Sequence, residues 1–155
     1  VQGRRLAAAM NDLHIRPVDD EASLEAWRHV HNVIIPTAPL SPDDVRRNAG
    51  RYLLEVAHLD GEPVGCSTVR PPTAEEPAAT VIARVLPEHR GRGIGTAIHH
   101  RCLERARATG AERIETIVLA SNTEGLAFAL ARGFVQVEEY LLPGDTVPFL
   151  TLRLP

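Results

Sequence analysis

Six residues, Arg90-Gly91-Arg92-Gly93-Ile94-Gly95, join an apolar strand-like run (Thr80 to Leu86) to an amphipathic helix-like run (Ile94 to Thr109). Glycines this dense at a strand-to-helix junction let successive backbone N–H groups turn toward one point at the positive end of a helix. That is a ready site for a phosphate or pyrophosphate, so a phosphorylated cofactor is expected. The dinucleotide fingerprint wants glycines at offsets of two and five; counting from Gly91 gives Gly93 and then Thr96, so its third glycine is missing. The nucleotide P-loop needs a lysine, and all 17 basic residues of this chain are arginine. What remains is the spacing Arg90-x-x-Gly93-x-Gly95.

The 155 residues fit one domain, long enough to bury about 68 to 70% of the unfolded surface in a single core. No apolar run approaches the ~20 residues of a membrane helix, and no long apolar core marks a signal peptide. The expected setting is a bacterial cytoplasm, with no membrane partner. A net charge of -3 with scattered arginines argues against a nucleic-acid partner. Cys66 and Cys102 lack metal-ligand spacing and read as small buried apolar residues. His29/His31 and His99/His100 diverge on their helices, so no metal is expected. Residues 1–11 hold the only methionine, Met10, and no hydrophobic period, and are expected to be a poorly ordered leader to a domain at 12–155.

Along that domain, Leu13 to Val18 reads as a strand, and Asp19 or Asp20 caps a helix with the stripe Leu24, Trp27, Val30, Ile34. Trp27 is expected in the core. Ser41-Pro42-Asp43-Asp44 predicts a second helix opened by a capping box and stopped by Gly50. Arg51 to Leu59 and Glu62 to Arg70 flank an Asp60-Gly61 turn as a hairpin. Pro71 to Ala79 is a proline-rich loop, and the strand Thr80 to Leu86 follows, interrupted by Arg84. Ile94, Ile98, Cys102 and Ala106 form the buried stripe of a helix ended by Gly110. Arg113 to Ala120 is a strand, Thr123 to Arg132 a helix closed by Gly133, and Phe134 to Leu142 with Val147 to Leu154 a final pair.

This order, with Val85-Leu86-Pro87, the Arg90 loop, Asn122 and Gly133-Phe134 placed within it, resembles the GNAT family of acetyltransferases from Leu13 onward. The resemblance implies an α/β (α+β) fold: a mixed, mostly antiparallel sheet of about seven strands, two central parallel strands splayed apart, and about four flanking helices. It implies acetyl-coenzyme A as co-substrate and an amine of a small molecule or exposed peptide as acceptor, with a homodimer left open. Backbone groups of Val85 and Leu86 would polarise the thioester, an interaction that strengthens as charge develops on its oxygen. Arg90, Gly91, Arg92, Gly93, Ile94, Gly95 and Thr96 would hold the pyrophosphate, with Asn122 and Phe128 also at the cofactor.

The family's proton-donating tyrosine, four residues before the terminal glycine, is replaced by Ala129. Ser121, Thr123 and Tyr140 are substitute acids; Glu55, His58, Glu138 and Glu139 are candidate bases, and Tyr140 and Glu138 are carried forward. Asp43, Asp44, Glu55, Glu138 and Glu139 around the pocket favour a cationic acceptor. Direct transfer to an amine is the expected activity. The alternative is a domain that binds coenzyme A but has lost turnover and serves as a regulatory or structural module.

Overall fold

The computed structural model describes residues 12–155; the expected leader at 1–11 lies outside the described residues. Capping chemistry fixes the first helices. Asp20 accepts from Ser23 N–H (2.8 Å) while Ser23 Oγ accepts from Asp20 N–H, opening α1 (Glu21–Ile34) after β1 (Leu13–Pro17). Ser41 and Asp44 exchange the same pair of bonds at the head of α2 (Pro42–Arg51). Gly50 does not stop α2, contrary to expectation: the helix runs through it and ends where Tyr52 turns extended (φ -123°, ψ 164°) to enter β2 (Leu53–Leu59).

Asp60 and Gly61 both take positive φ (52° and 80°) and return the chain as β3 (Glu62–Arg70). The next strand, β4 (Ala78–Val85), starts two residues before the sequence suggested. Ala78 and Ala79 carry no side-chain signature of a strand, and their assignment comes from pairing with a distant segment. After a 3₁₀ turn (Pro87–His89) come α3 (Ile94–Ala108), β5 (Arg113–Leu119), α4 (Thr123–Ala131), β6 (Val135–Tyr140) and β7 (Phe149–Arg153).

The seven strands form one sheet in the order β1-β2-β3-β4-β5-β7-β6, and only β4 and β5 are parallel neighbours. Each face has its own core. Val64, Val81, Ile98, Cys102, Phe134 and Leu152 are buried on the α3 face, and Leu24, Trp27, Val45, Val56, Cys66 and Leu86 on the α1/α2 face. Trp27 is 2% exposed and donates its indole N–H to Ser67 C=O (3.0 Å), tying α1 to β3. Cys66 and Cys102 are buried free thiols.

Candidate active site

The parallel pair is short. β4 meets β5 only at Ala78–Arg113, Ala79–Ile114 and Thr80–Glu115; beyond that β4 stays with β3 while β5 continues along β7. The two central strands therefore diverge toward their C-terminal ends, and the glycine loop and the start of α3 follow directly from the end of β4.

Gly91 (φ 77°) and Gly93 (φ 85°) hold the left-handed conformations that this turn requires, and Gly93 is the N-cap of α3. No side chain caps this helix and no acid occupies its first turn. Its first helical bond runs from Ala97 N–H to Gly93 C=O (3.1 Å), so the N–H groups of Ile94, Gly95 and Thr96 point out along the helix axis as anion donors. Gly95 lies between the end of β4 and α4: a Cβ there would make ordinary contact, 3.5 Å from Val85 Cγ2 and 3.6 Å from the Phe128 ring.

Arg90 serves through its side chain. Its Nε donates to Val85 C=O (3.0 Å) and its Nη1 to Glu124 (2.9 Å), lashing the loop to the end of β4 and the start of α4. Its own N–H is bonded to Pro87 C=O (3.3 Å), which takes that amide out of the expected donor set. Arg92 donates to His89 Nδ1 (3.1 Å). Sequence reasoning missed Arg132, whose guanidinium lies 4.3 Å from the centre of the Phe128 ring and donates to Thr96 Oγ1 (2.6 Å). Only the packing of α4 against α3 brings this charge beside the loop.

The structure corrects one backbone expectation. Leu86 N–H is committed to Val64 C=O (2.9 Å), so it faces β3 and cannot polarise a thioester in the gap. Backbone polarity alternates along a strand, so it is Val85 whose N–H and C=O face away from β3. Asn122 caps α4, its Oδ1 accepting from Gly125 N–H (2.9 Å). Phe128 is half-buried and meets His99 edge-on at 5.5 Å. Ala129 is 4% exposed and belongs to the α3-side core, so nothing at that position donates a proton.

The candidate acids and bases scatter. Glu55 is buried and chelated by Arg101 of α3 through two bonds (2.7 and 2.8 Å), so it is neither solvated nor free as a base. His58 borders a shallow depression with Arg16, Asp20 and Ser23. Asp43 and Asp44 are bound to Arg46 and Arg47 within α2. Ser121 and Thr123 are exposed. The register pairs Glu138 with Thr151 and Glu139 with Leu150, so the two carboxylates lie on opposite faces, and Glu138 shares its face with Tyr140, which stacks on Phe149 at 5.6 Å. Burial raises the Tyr140 pKa and keeps its hydroxyl protonated. Among the described residues the acids expected around an acceptor do not gather in one place; on the α1/α2 face Glu138 stands with Tyr140, and the sequence break Arg84 presents a cation.

His31 stands on that same side, buried and stacked on Trp27 at 5.3 Å. Asn32 is fixed by two bonds to Leu40, Nδ2 donating to its C=O (3.1 Å) and Oδ1 accepting from its N–H (2.9 Å). The group facing His31 Nδ1 at 3.1 Å is therefore an acceptor, so Nδ1 carries the proton and Nε2 a lone pair. Burial chiefly, with the nearby Arg84 charge, lowers the His31 pKa and keeps the ring neutral. Among the described residues no group of three or more His, Cys, Asp or Glu side chains is placed to hold a metal, and no helix is long and apolar enough to cross a membrane.

The model of the acetyltransferase (GNAT) family matches residues 14–134. No curated protein sequence matches the chain significantly. Among solved structures, yncA from Salmonella typhimurium with its cofactor acetyl-CoA superposes with a TM-score of 0.77 at 17% identity, covering 93% of this chain and 94% of that one. The ribosomal-protein-alanine N-acetyltransferase from Brucella melitensis gives 0.74 at 20% identity, with 90% and 98% covered. An N-acetyltransferase from Staphylococcus aureus Mu50 gives 0.75 at 19% identity, with 92% and 97% covered. These likenesses show the same fold, and the match over residues 14–134 shows that the chain belongs to the GNAT acetyltransferase family.

Proposed function

We propose that the protein is an acetyl-coenzyme A-dependent N-acetyltransferase that acylates a primary amine of a small molecule or an exposed peptide. The observation that carries this reading is the uncapped N-terminus of α3, with left-handed Gly91 and Gly93 ahead of it, following directly on a β4 that has left β5. Acetyl-coenzyme A fits those residues. Three helix N–H groups, with Arg92 and Arg132 beside them, suit a pyrophosphate. When bound, the co-substrate supplies an activated acetyl thioester.

The chain's own groups then divide the work. Val85 N–H is the donor placed to polarise the acyl carbonyl, and removal of such a donor typically costs about 3 to 4 kcal/mol. His31, neutral and with its Nε2 lone pair free, accepts the proton that an ammonium acceptor must lose before attack. Tyr140, held protonated by burial, is the donor toward a departing thiolate, and Glu138 shares its face. A module without turnover is the second reading, favoured by buried Ala129 where relatives carry tyrosine.

A panel of amines assayed for thiol release from acetyl-coenzyme A, beside coenzyme A binding, separates the two. Turnover with any amine, reduced about 100- to 10,000-fold in His31→Gln, is expected. Tight coenzyme A binding with no turnover across the panel would select the module.

A further inference from the structure

Two arginines on the α1/α2 face of the sheet, Arg70 and Arg84, make no ion pair among the described residues. The register sets Arg84 of β4 opposite Cys66 and Arg70 of β3 opposite Thr80, all on that face. Arg70 stacks on Tyr52, its guanidinium carbon 5.3 Å from the ring centre, and its Nε is buried without a hydrogen-bond partner among the described residues. Arg84 makes no hydrogen bond and no ion pair among the described residues. The neighbouring carboxylates are spent: Glu115 on Arg153 (2.7 Å), Glu76 on Arg113 (3.0 Å) and Glu55 on Arg101 across the sheet. The other titratable groups facing these arginines are neutral His31 and Cys66 beside Arg84, and protonated Tyr140 with the exposed Glu138 on the Arg70 side; Glu138 makes no ion pair with either arginine.

A half-buried guanidinium without a counter-charge carries a desolvation cost, and burial together with the Arg70 charge lowers the Arg84 pKa. A chain gains from such a pair only when a partner arrives. The guanidinium fork matches a carboxylate through two parallel bonds, and stacking Arg70 on a ring leaves its in-plane N–H groups free to donate.

We infer that Arg84, backed by Arg70, binds a carboxylate on the acyl acceptor, so that the substrate is an amine bearing a carboxylate, amino-acid-like in chemistry, rather than a simple amine or polyamine. The inference rests on taking the α1/α2 face as the acceptor side of an acetyltransferase. It reverses what net charge alone suggests. His31 Nε2 and the Arg84 guanidinium would then hold the two ends of one small zwitterion, one taking a proton from its ammonium and the other fixing its carboxylate.

The test measures binding rather than turnover. Small N-acetyl amino acids, each beside its neutral carboxamide, are titrated into the wild-type protein, Arg84→Gln, Arg84→Lys and Arg70→Gln, with and without coenzyme A. Wild-type protein is expected to prefer the carboxylates by about 10- to 100-fold, the worth of a charged hydrogen-bonded pair. Arg84→Gln loses that preference, Arg84→Lys keeps part of it, and Arg70→Gln weakens it. With no ligand present, Arg84→Gln melts at or above the wild-type temperature, because an unanswered cation has been removed. Equal affinity for carboxylate and carboxamide in the wild type, or a preference that survives in Arg84→Gln, would overturn the inference. Failure of coenzyme A to bind, with the carboxylate preference intact, would instead overturn the acetyltransferase reading alone.

Discussion

Replacing Gly65 with alanine is expected to destabilise the protein by about 3 kcal/mol, the upper end of the usual cost of overpacking. A Cβ at this position would sit 2.6 Å from Ile98 Cδ1 and 2.7 Å from the carbonyl oxygen of Arg84. The first contact is with the tip of a side chain, and a strained Ile98 rotamer relieves it for about 1 kcal/mol. The second is with main chain that cannot withdraw. Arg84 is locked in the β3–β4 ladder, one residue before Val85 and two before Leu86, whose N–H is held by Val64. For a domain of this size each kcal/mol lowers the melting temperature by about 2 to 4 °C, so the expected drop is about 6 to 12 °C. Circular dichroism melts of Gly65→Ala against wild type provide the reading. Gly50→Ala is the control, because nothing lies within 4 Å of its added Cβ and helical alanine is expected to add about 0.5 to 1 kcal/mol. A Gly65→Ala protein melting at the wild-type temperature would refute the close approach of the Arg84 main chain to Gly65 in the β3–β4 ladder.

Three further outcomes follow from local chemistry. Asn122→Ala is expected to cost about 1 kcal/mol by removing the cap on α4, whereas Asn122→Asp keeps that stability; a denaturant melt reads both, and an unchanged alanine variant would contradict the cap. Burial pushes the Cys66 thiol up to about 12 and the Cys102 thiol up to about 11, so iodoacetamide at pH 8 should label neither in the native protein and both after denaturation, as counted by mass spectrometry. His31 and His99 are both lowered in the folded state, chiefly by burial. As pH falls below about 6.5 the unfolded chain therefore binds more protons than the folded one, and stability should decline on acidification from pH 7 toward 5; a rise in that window, measured by urea melts, would contradict it.

The elements were legible where local chemistry acts alone. The aspartate cap at Asp19 or Asp20, the Ser41 capping box, the Asp60-Gly61 turn and the Gly110 and Gly133 stops are short-range signals, and helix starts, hairpin and helix ends follow them. The glycine loop was legible for the same reason, since left-handed backbone at Gly91 and Gly93 leaves its mark in residue type. Less visible were features that depend on pairing between distant segments. Ala78-Ala79 became strand through β5, and Leu86 lost its N–H to Val64 by continuing the β3–β4 register one residue beyond Val85. Charges were the hardest to place. Glu55 read as a candidate base and is buried beneath α3 on Arg101, while Arg84, an interruption in an apolar run, became a cation without an ion pair on the opposite face. One-residue parity in a strand decides such outcomes, and a bulge or an early strand start shifts it.

In the proposed function the N-terminus of α3 holds the pyrophosphate of coenzyme A through its main chain. Isothermal titration of coenzyme A into wild-type protein and into Gly93→Val, with folding of the variant checked by circular dichroism, addresses it directly. Valine at φ 85° forces the N-cap out of its left-handed conformation and turns the following N–H groups away. Saturable binding by the wild type and its loss in a folded Gly93→Val protein is the predicted result. Equal affinity in the two proteins would contradict the claim.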